Sequence, residues 1–253
     1  MKKLTLFVSI ITAGILMTSC LGEVSNSYAD STFVYLDMSD NAVMYGKTVS
    51  PYSGMKIITH ANMMAMSPGT IKVMSYSWDE DYGTTSLSIS GETVDAHNVR
   101  LSDETLDIVI TPLIMDIEAP EVEDPSKFVQ FTDPLYGNSK DFMDDKWIFQ
   151  YSYEAGKDQT AWIEFYKREG ETITGNDITV GIDVNISLLG TAEGTAVEQK
   201  IGAIAVDMSM LREAYEVAGG SSTKNLRVDF YYHVKGLDGR QKSTQTYTLT
   251  IAG

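Results

Sequence analysis

The segment Ile178–Leu188 sets Ile178, Val180, Ile182, Val184, Ile186 and Leu188 at every second position. Side chains of an extended strand point to opposite faces in turn, so this run lines one face of a sheet. A helix would scatter the same residues round its circumference. Leu226–Val234 repeats the pattern through Leu226, Val228, Phe230, Tyr232 and Val234, and Tyr247, Leu249 and Ile251 close the chain likewise. Trp147–Tyr153 and Ala161–Lys167 add two more strands. Two stacked antiparallel sheets around one core are the simplest architecture for this half. Asp238-Gly239 predicts a type I′ hairpin turn. One short helix interrupts the pattern: Met208, Leu211, Tyr215 and Ala218 recur near the helical period, and Gly219-Gly220 ends the run.

The first half reads as shorter strands at Phe33–Leu36, Thr70–Trp78, Ser86–Ser90 and Thr105–Thr111. Turn residues separate them, which suits a small OB-like barrel. Pro112, Pro120, Pro125 and Pro134 are four of the six prolines, and between Ile117 and Asp145 lie Glu118, Glu121, Glu123, Asp124, Asp133, Asp141 and Asp144. Proline removes a ladder donor and biases its predecessor to extended geometry, so this stretch reads as a linker. The expectation is an all-β chain of two domains, a small OB-like barrel followed by an antiparallel β-sandwich with one short helix. The barrel occupies 33–117, the acidic linker 118–143 and the sandwich 144–253.

The N-terminus reads as an address. Lys2 and Lys3 precede an apolar run, Leu4–Met17, that is shorter than the roughly 20 residues a spanning helix needs. It ends in Leu16-Met17-Thr18-Ser19-Cys20, and Cys20 is the only cysteine. Small residues before a lone Cys resemble a bacterial lipobox. That resemblance implies that residues 1–19 are removed and that Cys20 carries lipid. Residues 20–32 then form a lipidated tether, and the membrane is a partner through that lipid. Several acyl chains anchor stably where one is marginal. The implied place is the outer membrane, on its periplasmic or surface face.

Composition excludes several functions. Nineteen Lys and Arg stand against 35 Asp and Glu, a formal charge of -16. A phosphate backbone must be met by clustered cations, so nucleic acid is not a partner. A single Cys rules out Cys-rich zinc sites and any internal disulfide. His60, His97 and His233 are scattered, no Gly-x-Ser-x-Gly elbow occurs, and the one Cys is committed to lipid. No catalytic set and no cofactor emerge. Asp79-Glu80-Asp81 reads as a solvated turn, since neighbouring strand side chains diverge. His233 reads as a solvated or edge histidine.

Methionine is concentrated from Met38 to Met74, through Met44, Met55, Met63, Met64 and Met66. Core gap-filling is the ordinary use of that side chain. Thioether and imidazole also suit Cu(I), and His60, Met64 and Met66 would share one face of an extended segment, with Trp78 as a cap. Trp78, Trp147 and Trp162 offer platforms for sugars where they are exposed.

Certain segments resemble the NigD-like lipoproteins of Bacteroidetes. They are Pro68-Gly69-Thr70-Ile71-Lys72-Val73-Met74-Ser75-Tyr76, Trp147-Ile148-Phe149-Gln150-Tyr151 and Ile204-Ala205-Val206-Asp207-Met208-Ser209-Met210-Leu211, with the closing Leu226–Phe230 and Tyr247–Ile251. The resemblance implies an OB-like domain followed by a β-sandwich, and it brings no catalytic residues. The leading expectation is a non-enzymatic, lipid-anchored envelope protein acting as a binding or accessory module of unknown ligand, with an envelope protein or glycan as candidate partner. A fimbrillin-like structural subunit is the second reading, although the first Arg, Arg100, lies too deep for the usual maturation cut. A Cu(I)-binding periplasmic module is the third.

Overall fold

A computed structural model describes residues 27–49, 54–59, 63–139, 143–174, 177–192, 194–218 and 224–251. Cys20 and His60 therefore lie outside the described residues. The chain divides into two compact units, the first ending at Ile108 and the second beginning at Val109.

The first unit holds β1 (Ser27–Met38), β2 (Met44–Thr48), β3 (Lys56–Ile58), β4 (Ile71–Asp79), β5 (Thr84–Ile89) and the greater part of β6 (Glu92–Ile114). β1 pairs β2 through Val34–Met38 and β4 through Ser27–Tyr35, so one long strand serves two neighbours. β2 continues to β3, and β3 runs parallel to β6, Ile57 opposite His97 and Ile58 opposite Asn98. β6 then returns antiparallel to β4. The ring β1–β2–β3–β6–β4 closes, as an OB-like barrel requires. β5 hangs on β6 as a hairpin outside the ring.

Period two accounts for the barrel core. Val34 and Leu36 on β1 meet Met74 and Tyr76 on β4, with Met44, Ile57, Met63 and Val99. The opposite face of β4 is also buried, at Ile71 and Val73, which register with Tyr35 and Phe33. Gly46 shows how tightly β2 approaches β1: a Cβ there would fall 2.4 Å from Val34 Cγ1. β1 begins earlier than Phe33, because Ser27–Thr32 pair with β4 as regularly as the apolar residues that follow.

The second unit contains the end of β6 with β7 (Phe128–Phe131), β8 (Lys146–Ala155), β9 (Thr160–Lys167), β10 (Thr172–Thr174), β11 (Asp177–Leu189) and β12 (Glu198–Asp207). Helix α1 (Ser209–Ala218) follows, and then β13 (Lys224–His233), β14 (Arg240–Lys242) and β15 (Tyr247–Ile251). One sheet runs β7–β8–β12–β6. The other runs β6–β9–β11–β13, with β10 beside β11 and both β14 and β15 beside β13. The Pro-bearing stretch 118–143 contributes β7 to this unit. The all-β class holds, and the sheets are mixed: β11 and β13 are parallel because β12 and α1 intervene as a crossover. β8 and β9 do not pair, so their short connection passes from one sheet to the other. Lys200 fastens that connection by donating to the carbonyls of Gly156, Lys157 and Gln159 at 2.9, 2.8 and 2.7 Å.

The alternating residues from both sheets meet in one aromatic core. Phe131 stacks on Phe149 at 4.8 Å, and Phe149 meets Phe230 edge-on at 4.9 Å. Such pairs add about 0.5–1.5 kcal/mol beyond area burial. Met208, Leu211 and Tyr215 pack the helix against this core. The predicted two-residue turn at Asp238-Gly239 is instead a longer loop between the paired residues His233 and Arg240. Val234 is diverted to bridge Phe128, and Lys235 N–H donates to the Phe128 carbonyl at 2.8 Å.

A buried ion pair ties three segments of this unit. Arg212 Nε and Nη2 donate to the two carboxylate oxygens of Asp145, both at 2.6 Å. Its remaining donors reach the carbonyls of Thr250 and Asn138. The two side chains are 6% and 3% exposed. Removing one partner strands a buried charge. Asp145→Ala is therefore expected to cost about 3–5 kcal/mol, and Asp145→Leu combined with Arg212→Met to cost less than that. Urea unfolding curves of the three proteins check the order.

Candidate functional site

The face of β9, β11 and β13 that turns away from the core is polar. The alternation that buries Ile182, Val184 and Ile186 leaves Gly181, Asp183, Asn185 and Ser187 on this side. Register brings them beside neighbours of the same face. Trp162 lies opposite Ser187, Glu164 opposite Asn185, and Tyr166 opposite Asp183. Asp183 faces Tyr231 on its other side, Tyr231 pairs with Lys242, and His233 pairs with Arg240. The segment Pro120–Ser126 borders the same region. Val122, Asp124, Glu164, Asn185, His233 and Arg240 are among the residues lining a cleft there.

The polar groups hold one another in place. Arg168 Nε donates to Asp183 Oδ2 at 3.0 Å, and its guanidinium lies 4.0 Å from the centre of the Tyr231 ring. Gly181 permits that stacking, since a Cβ would sit 2.7 Å from Arg168 Cδ and 3.1 Å from the Tyr231 ring. Arg240 Nη1 lies 3.2 Å from the other Asp183 oxygen, within ion-pair range but not aligned for a hydrogen bond, so both atoms are buried without one among the described residues. Arg240 Nη2 donates to Asn185 Oδ1 at 2.7 Å. On the adjoining strand, Asp229 accepts from Thr246 Oγ1 at 2.6 Å and Lys242 Nζ at 2.7 Å.

Electrostatics follow from this packing. Burial pulls Arg240 below its ordinary value, and Asp183 opposes that shift. His233 is lowered by burial first and by Arg240 second, against a hydrogen bond to the Gly239 carbonyl. Burial and a hydrogen bond to Glu164 raise Tyr166. Both guanidiniums share one carboxylate, while Glu164 and Asp124 stand nearby as the balancing anions. The cleft therefore offers fixed donors and acceptors with neither sign of charge dominant.

The residues singled out from sequence are distributed differently. Met66 and Trp78 both pack against the core of the first unit, whereas Met64 is 80% exposed. Trp78 meets His97 edge-on at 5.3 Å and Tyr28 at the same distance. Among the described residues, no group of three or more His, Cys, Asp or Glu side chains is arranged to hold a metal ion. Trp147 is core, and Trp162 is 51% exposed on the cleft face. His233, read as an edge histidine, lines the cleft. Asn185, Glu164 and Arg240 were not singled out. The signal for the first of them lies in the polar half of the β11 alternation.

No family model and no curated protein matches this chain. Its fold is shared with solved structures from Bacteroidetes. A putative lipoprotein from Bacteroides fragilis NCTC 9343 superposes with a TM-score of 0.56 at 10% identity, covering 88% of this chain and 97% of that one. A protein of unknown function, DUF1344, from Bacteroides vulgatus ATCC 8482 gives 0.53 at 15% identity, covering 89% and 92%. A NigD-like immunity protein from Bacteroides caccae ATCC 43185 gives 0.46 at 13% identity, covering 87% and 96%. At such identities the likeness is one of fold. No helix among the described residues is long and apolar enough to cross a membrane.

The lowered pKa of His233 has a consequence for stability. The unfolded side chain titrates near 6.5. Well above that pH both states hold a neutral imidazole, and His233 contributes nothing. As pH falls through about 6.5 the unfolded chain takes up a proton that the folded cleft resists, so stability is lost on the acid side. Replacing His233 with Gln is expected to leave the thermal midpoint near that of the parent at about pH 7.5 and above it at about pH 5.5. Thermal unfolding at the two pH values checks this.

Proposed function

We propose that this chain is a non-enzymatic binding module of the cell envelope, anchored in the outer membrane through lipid on Cys20, and that the cleft on the second unit is where it holds its partner. The observation that carries the reading is the fixed set of side chains around Asp183. Arg168 and Arg240 are oriented by the carboxylate they share, and Arg240 in turn orients Asn185. Side chains already held in place lose little freedom when a ligand arrives, which is what a recognition site needs. A few placed polar groups in a concave setting are the usual means of fixing a ligand's orientation. The anchor rests on the lipobox-like Leu16–Cys20, and the fold shared with a putative lipoprotein is in keeping with it.

Two measurements test the parts separately. Fractionated cells are expected to carry the parent chain in the outer-membrane fraction and Cys20→Ala in the soluble fraction. Unchanged membrane association of that variant removes the anchor. Crosslinking of native envelopes is expected to give one or two discrete adducts that Arg240→Glu abolishes. A ladder at regular multiples of the chain's mass would replace the binding module with a polymerising, fimbrillin-like subunit.

A further inference from the structure

We infer that the ligand of the cleft is a neutral saccharide, stacked on Trp162 and hydrogen-bonded by Glu164, Asn185 and Arg240. This inference rests on the binding-module reading and names its ligand class.

Trp162 is half exposed although the strand that carries it buries Ile163 and Phe165 completely or nearly so. A single exposed apolar side chain needs no explanation by itself. Its position does. Ser187, directly opposite it across β9 and β11, lines the cleft, and Glu164, two residues along on the same face, lines it too. Directly opposed side chains on one sheet face have Cβ atoms about 4.5–5.5 Å apart. Trp162 does not itself line the cleft, but it stands on the same sheet face immediately beside two residues that do.

The chemistry of that combination is specific. A pyranose ring has an apolar face of C–H groups and a rim of hydroxyls. The C–H face carries slight positive charge and fits the electron-rich face of an indole. The hydroxyls need partners that both donate and accept along one edge. Glu164 accepts, the amide of Asn185 does both, and the guanidinium of Arg240 donates in a plane. The amide oxygen of Asn185 accepts from Arg240, so the amide NH2 is the group it can offer as a donor. His233, held toward its neutral form with its N–H given to the Gly239 carbonyl, can accept at its other ring nitrogen.

Charge selects the neutral class. Arg240 and Arg168 are answered by Asp183, and Glu164 and Asp124 border the cleft, so an anionic sugar meets carboxylates at the rim. The chain as a whole carries -16, which repels a polyanion at longer range. A cationic ligand meets the Arg240 guanidinium. A ligand with hydroxyls and no net charge meets neither penalty.

The test is native electrophoresis of the full chain, solubilised in detergent, through gels containing galactomannan, xyloglucan or a soluble α-glucan. Parallel gels contain polygalacturonate or chondroitin sulfate. At least one neutral polysaccharide is expected to retard the chain, and the anionic ones are not. Trp162→Ala should weaken the retardation at least about tenfold, while Trp162→Tyr, which keeps an aromatic face, should retain most of it. Because Trp162 is half exposed, its replacement should leave the urea unfolding midpoint in place, which separates lost binding from lost folding. Retardation by no neutral gel, retardation by anionic gels alone, or retardation indifferent to Trp162→Ala overturns the inference. If the crosslinked adducts described above still depend on Arg240 while no gel retards the chain, the binding module stands and the saccharide does not. If the adducts fail as well, both fall.

Discussion

The second unit depends on a backbone conformation that its own residues disfavour. Met143, Asp144 and Asp145 all have positive φ, at 53°, 51° and 59°, and none is glycine. A left-handed turn of L-residues costs roughly 1–2 kcal/mol per residue, so such a turn persists only where its surroundings hold it. Three contacts do so. The Asp145 carboxylate is gripped by Arg212 through two hydrogen bonds, the Asp145 carbonyl accepts from Met208 N–H at 2.9 Å, and Met143 is buried. The turn opens directly into β8, whose Trp147 and Phe149 begin the aromatic core. The same guanidinium reaches Thr250 on the last strand and Asn138 before the turn. One arginine thus joins the entry to β8, the helix and the end of the chain. The strain is local, and what offsets it comes from residues distant in sequence.

The candidate site uses charge in a different way. Around Arg212 a single carboxylate and two backbone carbonyls take up a single buried guanidinium. Around Asp183 one carboxylate is shared by two guanidiniums, and Arg240 has capacity remaining that it spends partly on Asn185. The first arrangement is closed and structural. The second is open, sits at the surface of a rigid sheet, and keeps its donors oriented. That contrast, within one unit and with the same residue types, is the reason the cleft reads as a place of recognition rather than of stability.

Period-two alternation made the strands legible. Ile178–Leu188 and Leu226–His233 are strands as their patterns require, with Val234 diverted to Phe128, and Leu211 and Tyr215 do pack one helix face onto the core, with Met208 just before it. Arg212 was not legible. It sits among those helix positions as an ordinary polar residue, and its partner Asp145 lies just past the acidic, proline-bearing stretch 118–143, where it reads as one more acid beside it. Nor could periodicity show that β11 and β13 run parallel, since a face pattern carries no direction. The cleft was half visible. The polar alternates of β11 mark a wetted face, but that Arg240 would reach Asn185 depends on β14, a strand of three residues without a pattern to detect. Trp162 stood in an alternation that allowed either face inward, and only packing against Phe149 and Phe230 decided for Phe165.

The placement of Arg240 follows from how the edge of β13 is divided. β15 covers Lys224–Val228 and β14 covers Tyr231–His233, leaving a break at Asp229 and Phe230. Ser243 fills that break. Its N–H donates to the Phe230 carbonyl at 2.7 Å, and its hydroxyl oxygen accepts from Phe230 N–H at 3.1 Å while the hydroxyl donates to Gln245. Asp229 is left free to take Thr246 and Lys242. A single continuous edge strand would keep one register past Phe230, whereas the break shifts the pairing by two residues, so that Tyr231 meets Lys242. The break lets β14 stand as a separate, short strand whose first residue, Arg240, projects toward Asp183 and Asn185. The site is therefore a product of an interrupted edge, where a serine replaces the ladder hydrogen bonds that a continuous strand would have made.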